Sequence, residues 1–273
     1  MLTRLPAAMK DWRLQLCAQE IFSFKPSEDV LQFELLMHMV DRQGNKYSAG
    51  SIIPAAERNG FIRELDRWVM KVVLVDYAPI LHDNPKLRLS LNLSGQSLGD
   101  PELWPYVRNL FEESKVPGFQ IQFEITETSP IADMDVALDF IRSARAFGCK
   151  VALDDFGSGL SSFLYLRSFP VDCIKIDGAF VANVCDPQSV DRAIVKSIVG
   201  VAHDLGLAVV AEHVDSSATM ETLRDLGVDM IQGYLISRPQ PFVEMFEKCQ
   251  STTTIMAKYF PLSDLPLRTS SWS

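Results

Sequence analysis

Eight times along this chain a short apolar run gives way to a helical stretch, and that alternation restricts the available folds more than any other feature of the sequence. The expected β-type runs are Leu14–Ile21, Leu31–Met37, Leu87–Ser94, Gln120–Thr126, Lys150–Phe156, Cys173–Ala179, Ala208–Val214 and Met230–Ser237. Expected helices include Glu64–Tyr77, Pro105–Glu113, Val136–Phe147, Val190–Asp204 and Thr219–Leu226. Gly148, Gly206 and Gly227 stand where helices stop. Asn59-Gly60 splits the long region from Ser51 to Asp83 into two helices, Pro54–Arg58 and Arg63–Leu81. About eight such units over roughly 250 residues predict an α/β protein, a single TIM-like (β/α)8 barrel over residues 1–250. A doubly wound sheet is the alternative, weakened by the lack of a dinucleotide glycine fingerprint. After Ser251 the chain turns polar and contains prolines, so residues 251–273 are expected to form a last helix and a trailing tail.

Within the strand runs, apolar and polar residues alternate. Leu31, Phe33 and Leu35 oppose Gln32 and Glu34; Leu89, Leu91 and Leu93 oppose Ser90, Asn92 and Ser94. Ile121, Phe123 and Ile125 oppose Gln120, Gln122 and Glu124, and Ile174 and Ile176 oppose Lys175 and Asp177. The apolar faces belong on the helix ring, which points the polar side chains into the barrel. Buried carboxylates are costly unless paired or metal-bound. Each of these acids and amides also stands near the C-terminal end of its run, where barrels carry their chemistry. Glu34, Asn92, Glu124, Asp154, Asp155, Lys175, Glu212 and Gln232 therefore form one candidate constellation.

Asp154 and Asp155 are neighbours, and on a continuing strand they would face opposite ways. A strand that ends there, with Gly157 and Gly159 free to take positive φ, turns both toward one pocket. The plainer reading is an Asx turn or a helix cap. Several carboxylates and an amide with one lysine and no paired histidines are hard oxygen donors, suited to Mg²⁺ or Mn²⁺ and not to zinc. Two such ions roughly 3.5–4 Å apart clamp the attacking and leaving oxygens of a phosphoryl displacement. Lys175 would orient the attacking hydroxide or offset developing charge, its plainer role being a pair with Asp177. Glu212 is a candidate to take the proton from water.

A formal net charge of −9 argues against binding long nucleic acid through phosphate neutralisation. The five cysteines are scattered without a CxxC pair and read as buried thiols of a reducing cytoplasm. No run approaches the roughly 18 apolar residues of a membrane span, and Met1–Lys10 lacks the apolar core of a signal peptide.

The motifs together resemble the EAL-domain family of cyclic di-GMP phosphodiesterases, from about Gln19 to about Pro241. They are Glu34-Leu35-Leu36, Pro54-Ala-Ala-Glu57-Arg-Asn-Gly60, Leu91-Asn92-Leu93-Ser94 and Glu124-Ile125-Thr126-Glu127. Further on come Asp154-Asp155-Phe156-Gly157-Ser158-Gly159, Lys175-Ile176-Asp177, Ala211-Glu212 and Gln232-Gly233-Tyr234. The resemblance implies a modified barrel with one antiparallel strand and hydrolysis of cyclic di-GMP to linear pGpG with Mg²⁺ or Mn²⁺. It implies a first metal on Glu34, Asn92, Glu124 and Asp154, a second held with the help of Asp155, and water activation by Lys175 and Glu212. Gln19 would contact the ligand, Gln232 would line the pocket, and Glu127 would anchor the loop after the paired aspartates unless it caps a helix. Leu36, on the pocket face with Glu34, joins the substrate-binding positions through the barrel argument. A homodimer through surfaces near the loop after Asp155 is also implied.

The sequence departs from the family pattern at several points. His38 stands where an arginine usually grips a phosphate, and it lacks the permanent charge and bidentate fork of a guanidinium. Weaker, more pH-sensitive binding is expected, and with it a receptor reading as the rival to catalysis. His213 replaces a glycine and reads better as a residue shielding the site edge than as a metal ligand. Asp215, Ser158 and Leu160 replace glutamate, threonine and tyrosine. His82 and His203 fall on helix surfaces.

Overall fold

Eight of the strands anticipated from that alternation wind into a closed barrel. The computed structural model describes residues 14–25, 30–41, 43–126, 131–159 and 162–251. Strand β1 (Leu14–Ser23) pairs antiparallel with both β2 (Leu31–Val40) and β9 (Met230–Gln232), so it closes the barrel. Between those two run β4 (Leu87–Leu93), β5 (Ile121–Thr126), β6 (Lys150–Phe156), β7 (Cys173–Ile176) and β8 (Ala208–Ala211), all parallel to β2 and β9. The expected reversed strand is thus the first. Short β3 (Lys46–Ser48) and β10 (Gln240–Pro241) add to β2 and β1.

The outward faces form the main core. Leu89, Leu91, Leu93, Ile121, Phe123, Ile125, Leu153, Ile174 and Ile176 are all at most 1% exposed and pack under the helices. Each large aliphatic buried this way contributes roughly 1.5–3 kcal/mol. The interior is not polar throughout, as the alternation suggested. Ile21, Ala152, Cys173 and Val210 form a separate apolar cluster. It fixes where the chemistry sits. Two residues beyond the plug on each parallel strand come Asp154, Lys175 and Glu212, and two residues before it on reversed β1 comes Gln19. On β6, β7 and β8 period-two alternation therefore raises a polar layer above an apolar one, whereas β4 and β5 carry the buried polar pair Ser90 and Gln122 two residues before Asn92 and Glu124.

Several boundaries differ from expectation. The first helix after β3 starts at Ala49 and runs through Pro54 to Arg58. The next is Ile62–Lys71, continuing as a π-helical turn over Val72–Asp76; Pro79 then sits at the start of a separate helix, Ala78–Asp83. Strands β7, β8 and β9 end earlier than expected, at Ile176, Ala211 and Gln232, because the chain beyond them turns into the rim loops. Gln120 lies in a 3-10 turn before β5, and its amide donates to the carbonyls of Leu81, Asn84 and Leu87 instead of entering the barrel. Val190–Asp204 forms as expected, with Ser189 Oγ accepting from Asp191 N–H at its start. His203 does more than sit on a surface: its Nε2 lies 3.0 Å from Asp229, which also meets Lys25 and Val209 N–H. Four cysteines are buried, but Cys185 is exposed. Among the described residues no helix is long and apolar enough to cross a membrane. Glu127, Leu160 and the tail after Ser251 lie outside the described residues.

Candidate active site

Lys175 is the centre of the polar layer. It is completely buried, and its Nζ lies 2.8 Å from Glu124, 2.8 Å from Glu212, 2.9 Å from Asp154 and 3.1 Å from Glu34. An ammonium has three protons to donate, so four carboxylates over-supply it. Burial disfavours its charge, yet Asp154, Glu124, Glu212 and Glu34 together hold its pKa well above the ordinary lysine value. Asp177 is not its partner; that carboxylate caps the following turn by accepting from Ala179 N–H.

The neighbouring aspartates converge by a different device from the one expected. β6 does not end at Asp154: it continues through Phe156, with a register shift against β7 between Leu153 and Phe156. Asp155 itself takes the left-handed φ of +53° inside this irregularity, and Gly157 follows at +98°. One extra residue in a strand, with one left-handed backbone, turns two successive side chains toward the same side. Aspartate tolerates that conformation better than most residues.

Amides bracket the acids. Asn92 Nδ2 donates to Glu34 Oε1 (2.6 Å), Gln232 Nε2 to Glu34 Oε2 (2.7 Å) and Gln122 Nε2 to Glu124 Oε1 (3.1 Å). Gln232 also reaches Gln19 Oε1 (3.2 Å), and the Gln19 amide donates to the Ser237 carbonyl (2.9 Å). These partners separate the acids. Burial pushes Glu34 up, but Lys175, Gln232 and Asn92 outweigh it and leave its pKa lowered. Burial, with the charges of Glu34 and Asp154, pushes Glu124 up to about 7. Burial and the adjacent Asp154 push Asp155 up to about 6. Burial raises Asp154 and takes Glu212 well above the usual carboxylate range despite Lys175.

Five carboxylates against one ammonium leave four formal negative charges uncompensated, the charge of two divalent cations. Oxygens of Glu34, Glu124 and Asp154 come within 4.8 Å of one another, and so do oxygens of Asp154, Asp155 and Glu212. Asp154 belongs to both groups. Its buried Oδ1 lies 2.9 Å from the Lys175 ammonium and is met by no other donor among the described residues, which leaves a lone pair for an ion. The donors are hard oxygens, so the residues present fit a divalent metal.

Residues 3–239 match the EAL domain family. The chain belongs to the EAL-domain family. It is 36% identical over 251 residues to the cyclic di-GMP phosphodiesterase PdeB of Shewanella oneidensis, covering 89% of this chain and 29% of PdeB. To PdeF of Escherichia coli, also named a cyclic di-GMP phosphodiesterase, it is 30% identical over 92% of this chain and 33% of PdeF. The chain thus spans about a third of the length of these curated relatives. Among solved structures, the PaMucR phosphodiesterase in complex with c-di-GMP superposes with a TM-score of 0.81 at 30% identity, over 89% of this chain and 98% of that one. The FimX EAL domain of Pseudomonas aeruginosa bound to c-di-GMP gives 0.78 at 25% identity, over 88% and 96%.

In this EAL domain the polar layer opens into a cleft of about 730 Å³. Gln19, Glu34, Leu36, His38, Asp154, Asp155, Glu212 and Gln232 all line it, so the structure brings most of the anticipated residues to one place. Asn92 and Glu124 adjoin them, joined through Glu34 and Lys175, with Glu124 fully buried. Nδ1 of His38 is buried without a hydrogen bond. His213 and Asp215 stand on the same rim; His213 is exposed, takes a φ of +56° and rests its ring on Gly178. Among the described residues it is in neither carboxylate group. Sequence reasoning left Ser48, Gly50, Tyr234 and Pro239 of the lining without a role. Tyr234 alone had a signal, an aromatic two residues after the pocket glutamine.

Proposed function

We propose that this EAL domain is a metal-dependent phosphodiesterase that opens cyclic di-GMP to linear pGpG. The observation that carries the reading is Asp154 shared between two carboxylate groups around a buried lysine, in a cleft sized for a small ligand. Glu34, Asn92, Glu124 and Asp154 would hold one Mg²⁺ or Mn²⁺, and Asp154, Asp155 and Glu212 a second. Bound there, such ions supply Lewis acidity toward a phosphodiester and raise the acidity of water.

The chain's own residues do the rest. Lys175 fixes four carboxylates in one plane of the barrel and places a permanent positive charge beneath the reacting phosphate. Glu212, a carboxylate on the cleft wall that is ionised once cations offset the surrounding negative charge, would accept the proton that the attacking water gives up. Gln232 and Gln19 form a hydrogen-bonded pair between Glu34 and the Ser237 carbonyl, and so hold the cleft wall in register with the ligand. His38 and Leu36 line the substrate side. Self-association belongs to the same reading: Phe163 and Leu164, 60% and 58% exposed, stand on the helix after the paired-aspartate loop.

One observation favours a second reading, capture of the dinucleotide without turnover. His38 stands where the family usually carries a phosphate-gripping arginine, and an imidazole contacts one oxygen where a guanidinium contacts two. A single assay separates the two. Incubation of the full chain with cyclic di-GMP and Mn²⁺ should give pGpG, and both a chelator and Asp154→Asn should abolish it. Tight binding in Ca²⁺ with no product under any divalent metal would establish the receptor instead.

A further inference from the structure

Tyr234 is 59% exposed on the rim of the cleft, yet the loop that carries it is fixed on both sides. Val214 N–H donates to the Gln232 carbonyl (3.0 Å) and Leu235 N–H to the Val214 carbonyl (3.0 Å). Ile236 and Ser237 N–H both donate to the Gly233 carbonyl (3.1 Å each). Gly233 packs so closely on Val214 that any Cβ would overlap the Val214 backbone. On the other side Ser237 accepts from the Gln19 amide through its carbonyl and from Glu20 N–H through its hydroxyl (3.0 Å). The ring therefore does not owe its exposure to a loose loop. The Arg238 guanidinium lies 4.3 Å from the ring centroid, which orients the ring and polarises its π-system.

We propose that Tyr234, backed by Arg238, is a platform on which a purine base of the ligand stacks. The inference rests on the dinucleotide reading of the cleft and adds a specificity contact that the acidic floor cannot give. That floor repels phosphate until cations arrive and offers nothing to the face of a base, so recognition of the bases falls to the rim. Every base has a π-face, and one base–aromatic stack accounts for roughly 5- to 150-fold in binding. A platform already fixed before binding spends none of that on ordering the loop. Tyr234 lines the cleft together with Asp154, Asp155 and Glu212, so one ligand can meet the carboxylate groups and the ring at once.

The test is calorimetric titration of the full chain with cyclic di-GMP in Ca²⁺, alongside steady-state kinetics in Mn²⁺. Tyr234→Ala and Tyr234→Leu should raise Kd by about tenfold or more, with KM rising in step and kcat changing less than about threefold. Tyr234→Phe, which keeps the π-face, should stay within about twofold of wild type. Arg238→Ala should weaken binding by a smaller factor than Tyr234→Ala. A leucine variant that binds like wild type would overturn stacking, because it keeps bulk and loses only the π-face. A phenylalanine variant as weak as alanine would assign the effect to the hydroxyl and overturn it too. Absence of cyclic di-GMP binding by the wild-type chain would overturn the reading of the cleft itself, a different outcome from equal binding by wild type and Tyr234→Ala.

Discussion

His213 holds a left-handed backbone, and its imidazole fills the space where a side chain on Gly178 would go. The two positions are therefore interlocked. Gly178→Ala should cost about 1–3 kcal/mol by overpacking against the ring. His213→Gly alone should leave stability within about 1 kcal/mol of wild type, since it loses ring contacts but relieves the backbone. In the double variant His213→Gly should recover most of the alanine cost. Urea unfolding of the four proteins measures this; costs that add within about 0.5 kcal/mol would refute the interlock. Asp66 gives a second prediction. It is buried on helix Ile62–Lys71, its Oδ2 accepts from Ser94 N–H and Oγ–H, and burial pushes its carboxyl up to about 6. The folded value exceeds the unfolded one of roughly 3.9, so its contribution is full below about pH 4 and lost as pH rises through about 6. Asp66→Asn should flatten that part of the stability profile and raise stability at pH 8 by up to about 3 kcal/mol. Thermal unfolding from pH 4 to 8 reads it, and a profile with the same slope in the variant would place the titration elsewhere.

Among the elements, β6 decides how the acids are presented. Asp155→Asn keeps a side chain that accepts the left-handed backbone while removing one carboxylate from the group with Asp154 and Glu212. Its Tm should stay within a few degrees of wild type, while calorimetric titration with Mn²⁺ should fall from two ions to one. An unchanged two-ion titration would remove Asp155 from the metal-holding set. This irregularity was not legible in the sequence. The glycines after them were the expected source of the turn that gathers both aspartates; the extra residue inside Lys150–Phe156, with Asp155 itself left-handed, is settled by pairing with β7, a tertiary contact. By contrast β2, β4 and β5 were legible because their apolar residues recur at every second position. Helix Val190–Asp204 was legible because Ser189 and Gly206 mark its ends with local chemistry. The π-helical turn at Val72–Asp76 carries no such mark, whereas the start of the next helix is explained afterwards by Pro79.

For the molecule as a whole, the excess of negative charge above the apolar plug should link metal to stability. Adding millimolar Mn²⁺ should raise Tm and a chelator should lower it, because an ion that binds only the folded state stabilises it. Lys175→Met, which strips from Glu34, Glu124, Asp154 and Glu212 the one ammonium they share among the described residues, should destabilise the metal-free protein by about 3–5 kcal/mol. Mn²⁺ should return a large part of that loss in a denaturant melt; equal losses with and without it would mean the carboxylates do not share an ion. The barrel has one further property that follows from its first strand running backwards. Leu14 pairs with Met39 and Ile21 with Gln32, so the strand begins beside the cleft and finishes at the plugged floor. In an all-parallel barrel a covalently attached upstream module would be tethered to the floor. Here any such tether would enter the barrel at Leu14, on the mouth side and one strand-length nearer the ligand, and a load on it would pass along β1 to Gln19 and its partners.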